Sequence, residues 1–359
     1  MAPALDTQMM ARAIRLARRG IYSSRPNPTV GCVIVKDSEV IGEGYTQPYG
    51  HNHAEIEALE NCRDNGNDPT GAIAYVTLEP CNHQGKTGPC ADALIVAGIG
   101  KVIMAMRDPN PEGSGGIEKL NAAGIETQCG LLEAEAETIN AGFYQRMRTG
   151  KPMVRVKMAS SLDGRTAMAS GESQWITGPA ARADVQKLRA RSDAIITGIG
   201  TVLADDPAMT VRDESLNVQF QPWRVIVDSN LRTPADAQIL NAPERVLIAH
   251  AVPASGENAS YLHLPDDAGH VSLTQLITQL GQRQINDILV ECGPRLAGAF
   301  VSAGLVDELI VYMAATLMGS NAQPLLELPI DTMGEKINLR ITDISKVGED
   351  WRLTCLPAS

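Results

Sequence analysis

His53, Glu55, Cys81 and Cys90 have the types and spacing to do chemistry together. His53-Ala54-Glu55 is followed by Pro80-Cys81 and then Pro89-Cys90. One imidazole and two thiolates give a zinc ion three protein ligands and leave a fourth position for a reacting water, whereas a structural zinc more often has four protein ligands. A carboxylate next to the imidazole is then available to move protons between that water and a substrate. His53 and Glu55 are two residues apart and do not share a helix face. They converge only on a metal lying beyond the N-terminal end of a helix that starts here. Cys90, just after Pro89, is placed the same way, and helix N-termini favour thiolate over thiol.

Singly these residues read as a surface histidine and two buried cysteines. Together, His-x-Glu and two Pro-Cys pairs follow the logic of zinc-dependent base deamination, although the cysteines lie nine positions apart rather than in a C-x-x-C. The loop between them, Asn82-His83-Gln84-Gly85-Lys86-Thr87-Gly88, brings a histidine and a lysine near the metal, where substrate-contacting groups are expected. His83 as a fourth ligand is the alternative. It would make the site structural and leave Glu55 without a role.

The surrounding pattern supplies the elements these residues need. Residues 6–19 carry apolar positions at helical spacing and stop at Gly20. Strands are expected at 30–36 and 40–44, joined by a hairpin turn at Asp37-Ser38-Glu39. A helix at 54–62, a strand at 72–78, a helix at 89–97 opening on proline and a strand at 102–106 follow, then helices at 117–123 and 131–147 around a short strand at 125–128. This is an α/β layered domain. Arg148-Thr149-Gly150-Lys151-Pro152 breaks the pattern, giving domains at 1–149 and 150–359. The second domain restarts with a strand at 153–159. Further buried strands at 194–197, 224–228, 246–250, 288–291 and 309–313 make a sheet of six or more.

Composition narrows the class. The chain has 359 residues, 44% of them apolar, enough for two cores. A net charge of -11 argues against a nucleic-acid partner. The N-terminus lacks the apolar core of a signal peptide, and the most apolar stretch, 93–106, is interrupted by Lys101 and too short for a bilayer. Seven scattered cysteines fit a reducing, cytoplasmic compartment, with two on metal and the rest inert in cores. A homo-oligomer acting on small molecules, with no membrane partner, is the expectation. A nucleic-acid base deaminase and a non-catalytic zinc-stabilised binding protein are the rivals.

The motifs also carry a resemblance. His53-Ala54-Glu55 with the long 79–90 loop resembles the deaminase domain of the bifunctional riboflavin-biosynthesis deaminase–reductases. Arg25-Pro26-Asn27-Pro28-Thr29-Val30-Gly31 and Arg107-Asp108-Pro109-Asn110-Pro111 match further segments of that family. The resemblance implies a cytidine-deaminase-like α/β/α domain with zinc on His53, Cys81 and Cys90. It implies Glu55 as proton shuttle, and substrate contacts from Asn27, His83, Lys86, Asp108 and Asn110. Thr46 stands where the family usually has histidine, so no role for that histidine carries over.

In the second half, Thr197-Gly198-Ile199-Gly200-Thr201 and the segment opening at Glu291-Cys292-Gly293 each follow a strand, as phosphate-cradling turns do. Neither is a full dinucleotide fingerprint, and the first strand lacks one. The resemblance extends here through residues 157–165, 171–177, 201–207 and 291–300. It implies a dihydrofolate-reductase-like α/β fold that uses NADPH. The nucleotide contacts implied are Ala159, Trp175, Thr201, Asp205, Ser229, Gly293, Pro294, Arg295, Leu296, Ala297, Gly298 and Ala299. The substrate contacts implied are Ser173, Arg189, Met209, Arg212 and Glu291. Arginine suits a ribose phosphate. A solvated helix face is the alternative for Arg189, and a core position is an equal alternative for Trp175. Lys157 is the candidate to polarise or protonate the sugar oxygen. The implied activity is hydrolytic deamination of a diaminopyrimidine ribosylamino phosphate, then reduction of its ribosyl group to ribityl.

Overall fold

The computed structural model describes residues 3–84, 88–253 and 261–358. The chain forms two compact units, Met1–Thr149 and Gly150–Ser359.

In the first unit, helix α1 (Pro3–Ala17) precedes the hairpin β1 (Gly31–Lys36) and β2 (Glu39–Tyr45). The hairpin turn places Asp37 and Ser38 at φ 52° and 69°, the paired positive values of a tight turn that matches strand twist. Then come α2 (Ala54–Asp64), β3 (Ile73–Val76), α3 (Cys90–Val96), β4 (Lys101–Met104), α4 (Gly116–Ala122) and β5 (Glu126–Cys129). The sheet order is β2-β1-β3-β4-β5, with β3, β4 and β5 parallel. The single helix expected at 131–147 is instead α5 (Glu133–Glu137), a 3-10 turn at Thr138–Asn140 and α6 (Ala141–Thr149). The break falls at Asn140, whose side chain bonds elsewhere, as asparagine does in competition with helix.

The second unit holds a sheet ordered β11-β10-β9-β8-β12-β6-β13-β16-β15. The strands in chain order are β6 (Met153–Ser161), β7 (Arg165–Ala167), β8 (Ala194–Gly198), β9 (Trp223–Val227), β10 (Val246–His250), β11 (Tyr261–His263), β12 (Asp287–Glu291), β13 (Glu308–Ala314), β14 (Gln323–Pro324), β15 (Leu339–Val347) and β16 (Asp350–Pro357). The helices are α7 (Pro179–Ala190), α8 (Ile199–Asp205), α9 (Leu273–Gln282) and α10 (Pro294–Ser302). All pairings from β11 across to β13 are parallel, and only the β13-β16-β15 end is antiparallel. The chain winds outward from β8 to β11, then returns to lay β12 between β8 and β6. Ligand crevices of α/β sheets form at the C-terminal ends of strands where such a reversal occurs.

In the first unit, the start of α2 is set by a close approach of two backbones. Gly44 of β2 lies against it, where a Cβ would stand 2.3 Å from the Ala54 carbonyl oxygen and 2.5 Å from the Ala58 nitrogen. Both are backbone atoms, so only glycine lets this helix start sit so low on the sheet. Gly44→Val should destabilise the first unit by about 1–3 kcal/mol. Urea unfolding of the variant beside the parent measures this, and an unchanged midpoint would refute the packing argument.

Candidate active sites

His53 caps α2 with extended backbone, φ -76° and ψ 166°, which turns its ring beyond the helix end. Cys90 is the first residue of α3, and Pro89 caps it. Cys81 lies on the chain leaving β3. His53 Nδ1 is 3.5 Å from Cys81 Sγ and 3.4 Å from Cys90 Sγ, and all three ligand atoms lie within 4.8 Å of one another. Ligands at ordinary Zn–S and Zn–N lengths on a tetrahedron would be about 3.6 Å apart, so the donor set fits zinc. Cys81 Sγ also accepts the Cys90 amide at 3.4 Å. Hydrogen bonding from Cys90, then from His53, holds the Cys81 thiol down at about 4, in the thiolate form that ligates. His83 is exposed and stands outside this cluster of three.

Glu55 is buried in the first turn of α2. Burial, then the Cys81 charge, pushes it up to about 7, against the pull of His53. A carboxyl poised there exchanges protons near neutral pH.

A second carboxylate was not assigned from sequence. Glu79 is buried, and it accepts from the amides of Gly115 and Ile117 at 3.1 Å each and of Asp108 at 3.2 Å. It thereby ties the 108–117 loop to the chain that carries Cys81. Burial pushes Asp108 up to about 6, against the hydrogen bond it accepts from the Asn110 amide. Asn27, Asp108 and Asn110 are half-buried, and Lys86 lies outside the described residues. Thr46 is buried, and its hydroxyl accepts from the Val30 amide at 2.9 Å. The expectation that the non-ligating cysteines are all core residues fails at Cys129, which is exposed on the edge strand β5.

In the second unit, Arg189 and Glu291 are both buried and meet in a two-pronged ion pair, Nε–Oε1 at 2.6 Å and NH2–Oε2 at 3.0 Å. This replaces the solvated-helix-face reading of Arg189. Its remaining nitrogen, Nη1, donates to the Thr210 carbonyl at 3.0 Å, and Nη2 also lies 3.7 Å from Met209 Sδ. Lys157 is cross-strand to Glu291, and burial lowers its pKa. Burial would raise Glu291, but Arg189 and then Lys157 and Arg212 hold it low. Arg212 is exposed and Ser173 half-buried.

The residues read as nucleotide contacts scatter around the same strand ends. Trp175 is 69% exposed with Arg182 over its ring at 4.5 Å, so it is no core residue. Gln174 donates to the exposed Asp205 at 3.3 Å. Ala159 is half-buried on β6 and Thr201 half-buried on α8. Ser229 Oγ accepts the Val271 amide at 3.1 Å. Gly293 caps α10, with Pro294 in the first turn, and a Cβ at Gly293 or Gly200 would meet nothing within 4 Å. Thr197 Oγ1 is buried without a partner. Open glycines, a free hydroxyl and a helix entry suit a phosphate-bearing nucleotide. Ala297 is packed in the core, and a Cβ on Gly298 would lie 1.9 Å from the Glu327 carbonyl oxygen, so these two face the protein. Arg295 pairs with Glu327 at 3.4 Å, Leu296 packs on the core margin, and Ala299 is exposed.

A His-Cys-Cys centre with a buried glutamate is the donor set of a zinc deaminase, and the largely parallel second sheet is of the class that binds nucleotides at its strand ends. Residues 3–106 match the cytidine and deoxycytidylate deaminase zinc-binding region, and residues 152–353 match the RibD C-terminal domain. The riboflavin biosynthesis protein RibD of Escherichia coli is 50% identical over 96% of this chain and 97% of its own. That of Haemophilus influenzae is 45% identical over 98% and 97%. The structure of Acinetobacter baumannii RibD superposes with TM-score 0.91 at 45% identity, covering 99% of each chain. The chain belongs to the RibD family, the bifunctional deaminase–reductases of riboflavin biosynthesis. It is a zinc-dependent deaminase and an NADPH-dependent reductase. No helix among the described residues is long and apolar enough to cross a membrane.

Cys81→Ser should reduce bound zinc from about one ion per chain to a small fraction of that. Metal analysis of the purified variant checks this, and full occupancy would exclude Cys81 as a ligand.

Proposed function

We propose that His53, Cys81 and Cys90 hold the deaminase zinc and that Glu55 is its general acid and base. The convergence of the three ligand atoms beside a buried carboxylate carries this reading. When bound, the zinc acidifies a water to supply a nucleophile near neutral pH. Glu55 would take one proton from that water and pass it to the pyrimidine ring nitrogen, then take the proton of the hydroxyl left on the ring carbon and pass it to the departing amine, which leaves as ammonia. Asn27, Asp108 and Asn110, with His83 and Lys86 from the 79–90 loop, are proposed to orient the pyrimidine and its ribose phosphate.

In the reductase, NADPH when bound supplies the reducing equivalents. The nucleotide is proposed to lie along Ala159, Trp175, Thr201, Asp205, Ser229 and the α10 entry from Gly293. The substrate is proposed to meet Ser173, Met209, Arg212 and the Arg189–Glu291 pair. Arg189 is already committed to Glu291, so the exposed Arg212 is the better-placed partner for a phosphate. Lys157, beside Glu291, is proposed to protonate the sugar oxygen. We further propose a cytoplasmic homo-oligomer, supported by Ile341, Ile344 and Trp351, which are exposed together on the edge pair β15–β16.

Glu55→Gln should lower deaminase turnover at least a hundredfold, as loss of an acid–base group typically does. Zinc content and reductase turnover on its own substrate should be unchanged. A loss smaller than about tenfold would remove Glu55 from the proton path.

Gly293→Val tests the cofactor path. The position is open and its φ of -74° suits any residue, so the fold tolerates the change while the phosphate path is blocked. Fluorescence titration should show NADPH binding weakened, deamination unaffected, and NADH binding the parent less well than NADPH. Unchanged NADPH affinity would move the cofactor elsewhere, and equal affinity for NADH would refute the preference.

A further inference from the structure

We infer that Asn140 is a positioning residue of the deaminase, holding the Asn27 loop in the geometry that receives substrate. The inference rests on the reading that Asn27 contacts the pyrimidine substrate. Asn140 ends the 3-10 turn between α5 and α6 and is 9% exposed. Its side-chain amide makes two bonds to one distant residue. Oδ1 accepts from the Thr29 amide at 2.8 Å, and Nδ2 donates to the Thr29 carbonyl at 2.8 Å. A primary amide is the neutral side chain that can both accept and donate in this way. It stands in for one rung of a strand ladder, across 111 residues of sequence.

Thr29 lies just before β1, where the sheet does not yet hold the chain. The next two residues are held in turn. Val30 is pinned by the Thr46 hydroxyl at 2.9 Å and by the Thr46 amide at 2.9 Å, and Gly31 by the Thr77 hydroxyl at 3.1 Å and the Thr77 amide at 3.1 Å. Val30 and Gly31 thus also receive backbone bonds, whereas at Thr29 both backbone groups go to one side chain. Thr46 leads to His53, and Thr77 leads to Cys81. Cys32, three residues beyond Thr29, lies within electrostatic reach of Glu55. The pinned stretch therefore lies at the zinc-ligand end of the sheet, and Asn27 is two residues upstream of Thr29, whose hydroxyl also donates to the Ala17 carbonyl at 2.5 Å. Removing the Asn140 amide leaves Thr29 held by its hydroxyl on Ala17 alone, releases both of its backbone groups and shifts the Asn27 segment, without touching a zinc ligand or Glu55.

A double-mutant cycle on the full chain, with the diaminopyrimidine ribosylamino phosphate as substrate, tests this. Asn140→Ala should raise the deaminase KM roughly tenfold, the effect of losing two ordinary hydrogen bonds, with kcat within about threefold of the parent. Zinc content and reductase turnover, measured on the same preparation, should not change. Asn27→Ala should raise KM as well, and adding Asn140→Ala to it should raise KM no further, because the two act through one contact. Additive effects, or a fall in kcat and zinc with KM unmoved, would overturn the inference while leaving the Asn27 reading intact. An unchanged KM in Asn27→Ala alone would overturn that reading and the inference with it. If Asn140→Ala loses zinc and solubility together, Asn140→Ser, whose short hydroxyl cannot span both Thr29 groups, enters the same cycle with the same expected outcome.

Discussion

The deaminase centre depends on two helix starts being pressed against one strand end. His53 reaches Cys81 only because α2 begins at Ala54, and Cys90 reaches it only because α3 begins one residue after Pro89. Neither start can move without separating the ligands. Gly44 removes the side chain that would lift α2, and the Cys90 amide bonded to Cys81 fixes α3. The helix starts also supply the electrostatics, since exposed amide dipoles there favour thiolate and oppose desolvation of a carboxylate. Glu55 shows the balance. Burial wins over the pull of His53, and the group is left able to gain or lose a proton near neutrality.

The reductase sheet uses buried charge differently at its two ends. At the N-terminal ends of β12 and β13, Arg155 is buried and paired with both Asp287 and Glu308. Removing one partner of such a group typically costs about 3–5 kcal/mol, because the survivor keeps its desolvation penalty. At the C-terminal ends, Arg189 and Glu291 form a comparable pair with Lys157 alongside. There the arrangement has an extra cation. One carboxylate must serve both Arg189 and Lys157, and burial lowers the lysine's affinity for its proton. The first cluster balances one buried cation with two carboxylates, whereas the second sets two cations against one carboxylate.

The cluster of His53, Cys81 and Cys90 was legible in the sequence because zinc demands particular side chains, and His-x-Glu with two Pro-Cys pairs is rare by chance. The hairpin at Asp37-Ser38 and the parallel strands were legible for the same kind of reason, since local turn chemistry and apolar runs declare themselves. The helix expected at 131–147 was misread because its apolar spacing continues through Asn140, while the amide that interrupts it answers to Thr29, far away in sequence. Strands β15 and β16 were missed because their apolar positions are exposed or shared with polar ones, although alternation on either side of Gly348 was available as a hairpin signal. The core reading of Trp175 failed because residue type alone does not distinguish a buried ring from one displayed at a strand end.

What stayed illegible has a common physical cause. Near the zinc the chain leaves regular structure, yet its amides are buried and each needs a partner. Glu79 supplies acceptors to three of them, Asn140 serves both groups of Thr29, and the hydroxyls of Thr46 and Thr77 take one amide each. These partners are ordinary polar residues whose meaning lies in what they face after folding, so no local motif marks them. Thr46 is the clearest case. Beside its family it is a missing histidine, whereas in the fold its hydroxyl closes the gap between two strand ends. A charged carboxylate is the costliest of these partners to bury, and it is used where three amides converge on it. The loops bearing Asn27 and Asp108 are therefore tied by side chains where no strand ladder reaches, which is how irregular chain can hold a defined shape beside the His53-Cys81-Cys90 cluster.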